Sequence, residues 1–184
     1  MTTPRADGSW TVLGRTIEIR SPWLTLIGER LVDNEDRELD YWRVEKTDSL
    51  LVLTIHRGFI VLPNPSFRPG VGRVTLDLPG GRFDATADLN STALTILQRE
   101  LGLSGLDPDS IGPLNEVGWD VDSSSSNQML FGATAMIPDS HELNLDRVQA
   151  SYRATVEGGK ALRDDLTCLQ CRAVVTDWLE RQPR

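Results

Sequence analysis

Cysteine is scarce: Cys168 and Cys171 are the only two in 184 residues, too few for a disulfide framework, so a reducing, cytoplasmic setting is expected. No run of about 18 apolar residues occurs, so no membrane-spanning helix is expected. The opening residues MTTPRADGS hold no apolar stretch, and no secretory signal peptide is expected there. Clustered lysine and arginine are also missing. With 19 basic against 27 acidic residues the net charge is −8, which argues against a nucleic-acid surface. A small anionic ligand is still compatible, because two or three arginines in one pocket override a global charge locally. Internal repeats and long low-complexity tracts are absent, and the serine run 123–126 reads as a loop. The 39% of hydrophobic residues suffices for the core of one ordinary domain with a small appended subdomain.

Strand patterns dominate the first half. Thr11-Val-Leu and Thr16-Ile-Glu-Ile19 are rich in branched residues, and Trp23-Leu-Thr-Leu-Ile27 follows the helix-breaking Pro22. After the polar turn 32–37, Tyr41-Trp-Arg-Val44 alternates. Leu50-Leu-Val-Leu-Thr-Ile55 is nearly all apolar, as in a strand buried on both faces. His56-Arg-Gly58 predicts a tight turn into Phe59-Ile-Val-Leu62, and Val74-Thr-Leu-Asp-Leu78 predicts a short strand entering Pro79-Gly80-Gly81. A helix with Leu94, Leu97 and Leu101 on one side, capped by Asn90 or Ser91, stops at Gly102. Residues 128–136 read as a strand. The last forty residues predict two helices, 145–156 and 166–180, joined by Gly158-Gly159. The pattern is that of a mixed α/β sandwich.

The stretch Phe67-Arg-Pro-Gly-Val-Gly-Arg-Val-Thr-Leu-Asp-Leu-Pro-Gly-Gly81 resembles the segment entering the signature loop of ADP-ribose pyrophosphatases in the Nudix superfamily. The Nudix signature is G-x5-E-x7-R-E-U-x-E-E-x-G-U, with U a bulky aliphatic residue. With its first glycine on Gly81, Leu97 falls on the first aliphatic position, Glu100 on the second glutamate of the later pair, Gly102 on the glycine and Leu103 on the last aliphatic, with no gap. The resemblance implies a Nudix α/β/α sandwich of the α+β type with a mixed β-sheet over residues 48–184. It also implies a small antiparallel β subdomain over residues 1–47, used in that family for homodimerisation. The Glu157-to-Thr167 stretch looks like the start of the family's closing helix pair.

The departures bear on activity. The glutamate after x5 is Ala87, the Arg-Glu pair is Thr95-Ile96, and the first glutamate of the later pair is Arg99. In the family these glutamates hold Mg²⁺ or Mn²⁺ against a diphosphate. Glu100 is the one signature glutamate left, the sole candidate metal ligand and catalytic carboxylate from the box, and Arg99 sets a positive charge beside it. Asp84, Asp88, Glu116 and Glu142 are candidates to supply further oxygens. The resemblance therefore implies a protein that binds a nucleoside diphosphate-linked ligand such as ADP-ribose with hydrolysis weakened or lost, and with no necessary metal. The alternatives are a working Mg²⁺-dependent pyrophosphohydrolase and a ligand-free structural or partner-binding module. Candidate ligand-binding residues are Arg68, Gly80, Gly81, Arg82 and Trp119, with Arg73 beside them. A guanidinium suits phosphate because it bonds two oxygens at once. Trp119, favoured as a packing residue, could instead stack on a base.

Cys168-Leu-Gln-Cys171 has redox-type spacing, but a reactive thiol needs a helix N-terminus. Inside the predicted helix, two small buried core residues are the favoured reading. His56 and His141 have no catalytic arrangement around them.

Overall fold

Branched residues recur through the N-terminal segment. In the computed structural model, which describes residues 9–183, they form β1 (Thr11–Arg20), β2 (Thr25–Val32) and β3 (Glu38–Glu45). The leading residues 1–8, where a signal peptide is not expected, lie outside the described residues. The three strands make one antiparallel sheet in the order β1-β2-β3. The two runs flanking Gly14 are a single strand, because register shifts at Val12/Gly14 and Arg15/Ile17 absorb the interruption as bulges. Buried Glu29 on β2 accepts from Arg43 Nε at 2.9 Å and Arg15 Nε at 3.2 Å. The Arg43 hydrogen bond holds the Glu29 carboxyl below the usual carboxylate range against the cost of burial. Residues 120–128 belong to this compact unit. There the Val44 N–H donates to Ser125 O at 2.7 Å and the Tyr41 hydroxyl to Ser124 O.

The second unit comprises residues 48–119 and 129–184. Its elements begin with β4 (Asp48–His56), β5 (Phe59–Pro63), β6 (Ser66–Arg68), β7 (Arg73–Thr75), β8 (Gly80–Phe83) and α1 (Leu89–Leu101). After a 3₁₀ turn at Pro108–Ser110 follow β9 (Ile111–Pro113), β10 (Trp119–Asp120), β11 (Met129–Ile137), β12 (Val148–Arg153), α2 (Val156–Asp165) and α3 (Leu169–Glu180). The main sheet runs β10-β11-β4-β5-β12, with β8 also on β4 and β9 also on β11. It is mixed, since β11 runs parallel to β4 while β5 and β8 run antiparallel to it. The apolar run of β4 is buried on both faces. Leu50 and Val52 join Ala93, Ile96, Leu97 and Leu101 of α1 in one core. By the alternation of a strand, Leu51 and Leu53 point the other way. On β11, a Cβ at Gly132 would lie 3.2 Å from Val174 of α3, while Phe131 and Ala133 on either side belong to the α1 core. Helices thus cover both faces, and the expected α/β/α sandwich with a mixed sheet is the observed fold. Among the described residues no helix is long and apolar enough to cross a membrane.

Several local expectations differ. The cap of α1 is neither Asn90 nor Ser91 but Asp88, whose carboxylate accepts from Ser91 N at 2.7 Å. Gly102 ends the helix at φ 74°, as expected. The strand expected over 74–78 is confined to Arg73–Thr75, paired with β6. His56 is not in a turn: it is buried at the end of β4, and Arg57 and Gly58 make the turn with φ of 47° and 75°. The helix expected over 145–156 is instead β12, drawn into the sheet by pairing with β5. Gly158 and Gly159 do not link two helices; they lie inside α2, which Thr155 caps by accepting from Gly158 N at 3.2 Å. Their role is close approach. A Cβ at Gly158 would lie 2.1 Å from Arg153 O, and one at Gly159 would lie 2.6 Å from the Trp178 ring of α3.

Both glycines are therefore expected to resist alanine despite its higher helix propensity. Gly158→Ala and Gly159→Ala should each lower stability by about 1–3 kcal/mol through overpacking, read from urea midpoints. An alanine variant as stable as the parent would show that the contacts relax freely.

Candidate functional site

Between β6 and β7 the chain turns through Pro69-Gly-Val-Gly72, where Gly72 has φ 67°. The register places Arg68 directly opposite Arg73, so one short hairpin carries two neighbouring guanidiniums. Both line a cavity of about 410 Å³, within the range of small-ligand sites. Its walls also include Asp77, Gly80, Glu100 at the end of α1, and Cys168 and Cys171 at the start of α3. Asp77 is fixed from one side. Its Oδ2 accepts from Arg68 Nε at 2.7 Å and from Thr75 Oγ1 at 2.8 Å.

Gly80 and Gly81 pair with Leu51 and Leu50 of β4. A Cβ at Gly80 would come within 2.3 Å of Leu51 Cδ2, and one at Gly81 within 3.0 Å of both Ile96 and the Arg99 guanidinium. Glycine at both places lets β8 lie between β4 and α1. Arg99 then reaches back, donating from Nη2 to Gly80 O at 2.7 Å and from Nε to Glu100 Oε1 at 2.8 Å. Glu100 is thus half-buried at the cavity wall and paired with its own neighbour.

The other carboxylates weighed as metal ligands do not join it. Asp84 is exposed and accepts from the amide and hydroxyl of Thr86 at 2.9 and 2.8 Å, which holds its pKa below the usual value. Asp88 caps α1. Glu116 and Glu142 are exposed, and none of the four lines the cavity. Ala87 is exposed, and Ile96 is buried against Gly81. The two carboxylates at the cavity, Asp77 and Glu100, each have an oxygen engaged by an arginine. This donor set does not fit Mg²⁺ or Mn²⁺, which need several free oxygen ligands.

Arg68, Gly80 and Glu100 are brought together, with Arg73. Gly81 and Arg82 lie on β8 outside the cavity wall, with Arg82 exposed. Trp119 is half-buried and lines a separate shallow groove with Arg163, Leu169, Arg172 and Thr176. The sequence singled out neither Asp77 nor the cysteine pair for this place. A lone aspartate within the apolar run Val74–Leu78 was the available signal.

The cysteines are not in a helix interior. Leu166 is extended, so α3 begins at Leu169, with Cys168 as its N-cap and buried Cys171 in its first turn. A hydrogen bond with Cys171 lowers the Cys168 thiol below the ordinary thiol range, opposed by burial and helped by the amides of Cys171 and Gln170. That hydrogen bond and burial push the Cys171 thiol up. Leu78 N–H approaches the Cys171 sulfur at 3.4 Å.

No protein-family model matches the chain, and no curated protein matches it. Among solved structures, one described as "Crystal structure of ADP compounds hydrolase" superposes with a TM-score of 0.73 at 17% identity, over 95% of this chain and 96% of that one. At that identity the likeness is one of fold: the chain has a Nudix-like fold.

The two positions that lack signature glutamates differ in what they tolerate. Ile96→Glu would bury an unpaired carboxylate and should cost about 3 kcal/mol or more. Exposed Arg99→Glu should cost about 1 kcal/mol. Chemical denaturation of both variants checks this, and equal losses would contradict the packing of Ile96 against Gly81.

Proposed function

We propose that this protein binds a small nucleoside diphosphate-linked ligand, of the ADP-ribose kind, with hydrolysis weakened or lost. The observation that carries the reading is the Arg99 guanidinium, which bridges Gly80 O and Glu100 Oε1 and so neutralises the one signature carboxylate at the cavity. Arg68 and Arg73 supply two cations on one hairpin at the same cavity, a suitable pair for a diphosphate. Gly80 belongs to the wall. Gly81, Arg82 and Trp119 are left out of the proposed contact set, since none of them lines the cavity.

Calorimetry with ADP-ribose should show binding that needs no Mg²⁺ or Mn²⁺. Arg73→Ala should weaken it about tenfold, the effect of one charge-assisted hydrogen bond. Release of AMP in the presence of Mg²⁺ or Mn²⁺ should stay at the level of the Glu100→Gln variant. Robust turnover abolished by that substitution would instead establish a working pyrophosphohydrolase. Absence of any nucleotide binding would leave a structural or partner-binding module.

The proposal includes a homodimer formed through the N-terminal sheet. Val12, Leu13, Ile17 and Ile19 of β1 are exposed, as are Trp23 and Trp42, a large apolar surface for so small a unit. Light scattering should give twice the chain mass, falling to the monomer in Ile17→Arg/Ile19→Arg. A monomeric parent at micromolar concentration would refute it.

A further inference from the structure

Among the described residues, the one group of three His, Cys, Asp or Glu side chains with converging ligand atoms is Asp77, Cys168 and Cys171. A carboxylate oxygen and both sulfurs lie within 4.8 Å of one another. We propose that these three side chains form a binding site for a borderline divalent cation of the Zn²⁺ class, with the fourth coordination position open to the cavity.

The distances favour it. Zinc bonds of about 2.3 Å to sulfur and 2.0–2.2 Å to carboxylate oxygen, arranged tetrahedrally, put sulfur and oxygen roughly 3.6 Å apart. Cys171 Sγ and Asp77 Oδ1 stand 3.9 Å apart. A side-chain shift of roughly 0.3 Å would bring this pair to that spacing. The cysteine spacing is also suited, since both thiols come from one helix start and Cys171 is held in place by its burial.

The surroundings orient the ligands as metal sites do. Arg68 and Thr75 occupy Asp77 Oδ2, so Oδ1 is the oxygen presented to the sulfurs. Leu78 N–H points at the Cys171 sulfur. A coordinated divalent ion deprotonates a thiol outright, so both sulfurs would bind as thiolates. Two sulfur donors select a soft or borderline metal over Mg²⁺, so this site is distinct from the signature-helix site that the carboxylates fail to form. All three ligands line the cavity that holds Arg68 and Arg73, so an anionic oxygen or a water could take the open position.

Cobalt is the direct probe. Titrating the fully reduced protein with Co²⁺ should produce thiolate-to-cobalt charge-transfer absorption and the visible bands of a four-coordinate ion, saturating at a single equivalent. Zn²⁺ should abolish both. Cys168→Ser and Cys171→Ser should remove the charge-transfer band, and Asp77→Asn should weaken cobalt binding at least tenfold. Arg68→Lys, which keeps the cavity charge, should weaken it less than Asp77→Asn. Two freely reactive thiols and no charge-transfer band at millimolar Co²⁺ would overturn the proposal. So would a pair that merely oxidises to a disulfide and leaves the reduced form indifferent to metal. None of these readouts involves a nucleotide, so failure here leaves the ligand-binding proposal untouched, and the reverse also holds.

Discussion

The cavity depends on how closely the Gly80-Gly81 segment can lie against its neighbours. β4 is crowded on both faces, and β8 must enter beside it where Leu51 already fills the space a Cβ at Gly80 would need. The same segment must pass under α1, where Ile96 and Arg99 leave no room at Gly81. Two consecutive residues without side chains resolve both conflicts. Their consequence is positional. The Gly80 carbonyl is left within reach of Arg99, the end of α1 is drawn to the cavity, and Glu100 is set into its wall.

Charge at the cavity is organised around that geometry. Arg99 both satisfies the Gly80 carbonyl and engages Glu100. On the opposite wall Arg68 engages Asp77 in the same manner. Each carboxylate at the cavity therefore already has a cation, while Arg73 adds a further positive charge on the hairpin. Pairs this exposed add little to stability, with median values of about 0–1 kcal/mol. Their effect is on what can enter. A hard cation finds no free group of oxygens, while Arg68 and Arg73 keep the hairpin side of the cavity positive.

The fold was legible where local pattern and tertiary demand agreed. The apolar run 50–55 could only be a doubly buried strand, and the leucines 94, 97 and 101 ahead of Gly102 could only be one face of a helix. Legibility failed where partners distant in sequence decide. Residues 148–153 carry no strong strand pattern and become β12 through pairing with β5. Gly158-Gly159 reads as a linker unless the approaching Arg153 carbonyl and Trp178 ring are known. For the site, the resemblance pointed to Glu100 and Arg68, and both line the cavity. It could not show that Asp84 and Asp88 spend their oxygens on local turns and caps, since Thr86 and Ser91 are equally ordinary next to an idle aspartate.

The same reasoning explains why the cysteine pair was hidden. Helix α2 starts where its glycines let it touch Arg153 and Trp178, and it ends at Asp165, before the extended Leu166. Its last carbonyls are then closed by Arg172, whose Nη1 donates to Arg163 O at 2.8 Å and Leu166 O at 3.1 Å. With Leu166 buried and extended, the chain cannot run on into α3 as one helix, and a new N-terminus forms at Cys168. A continuous helix would have turned both cysteines into core side chains. The break exposes one sulfur to the N-terminal amides and to the cavity, and leaves the other beneath it beside Asp77. The chemistry available at that wall therefore follows from where α2 ends and α3 begins.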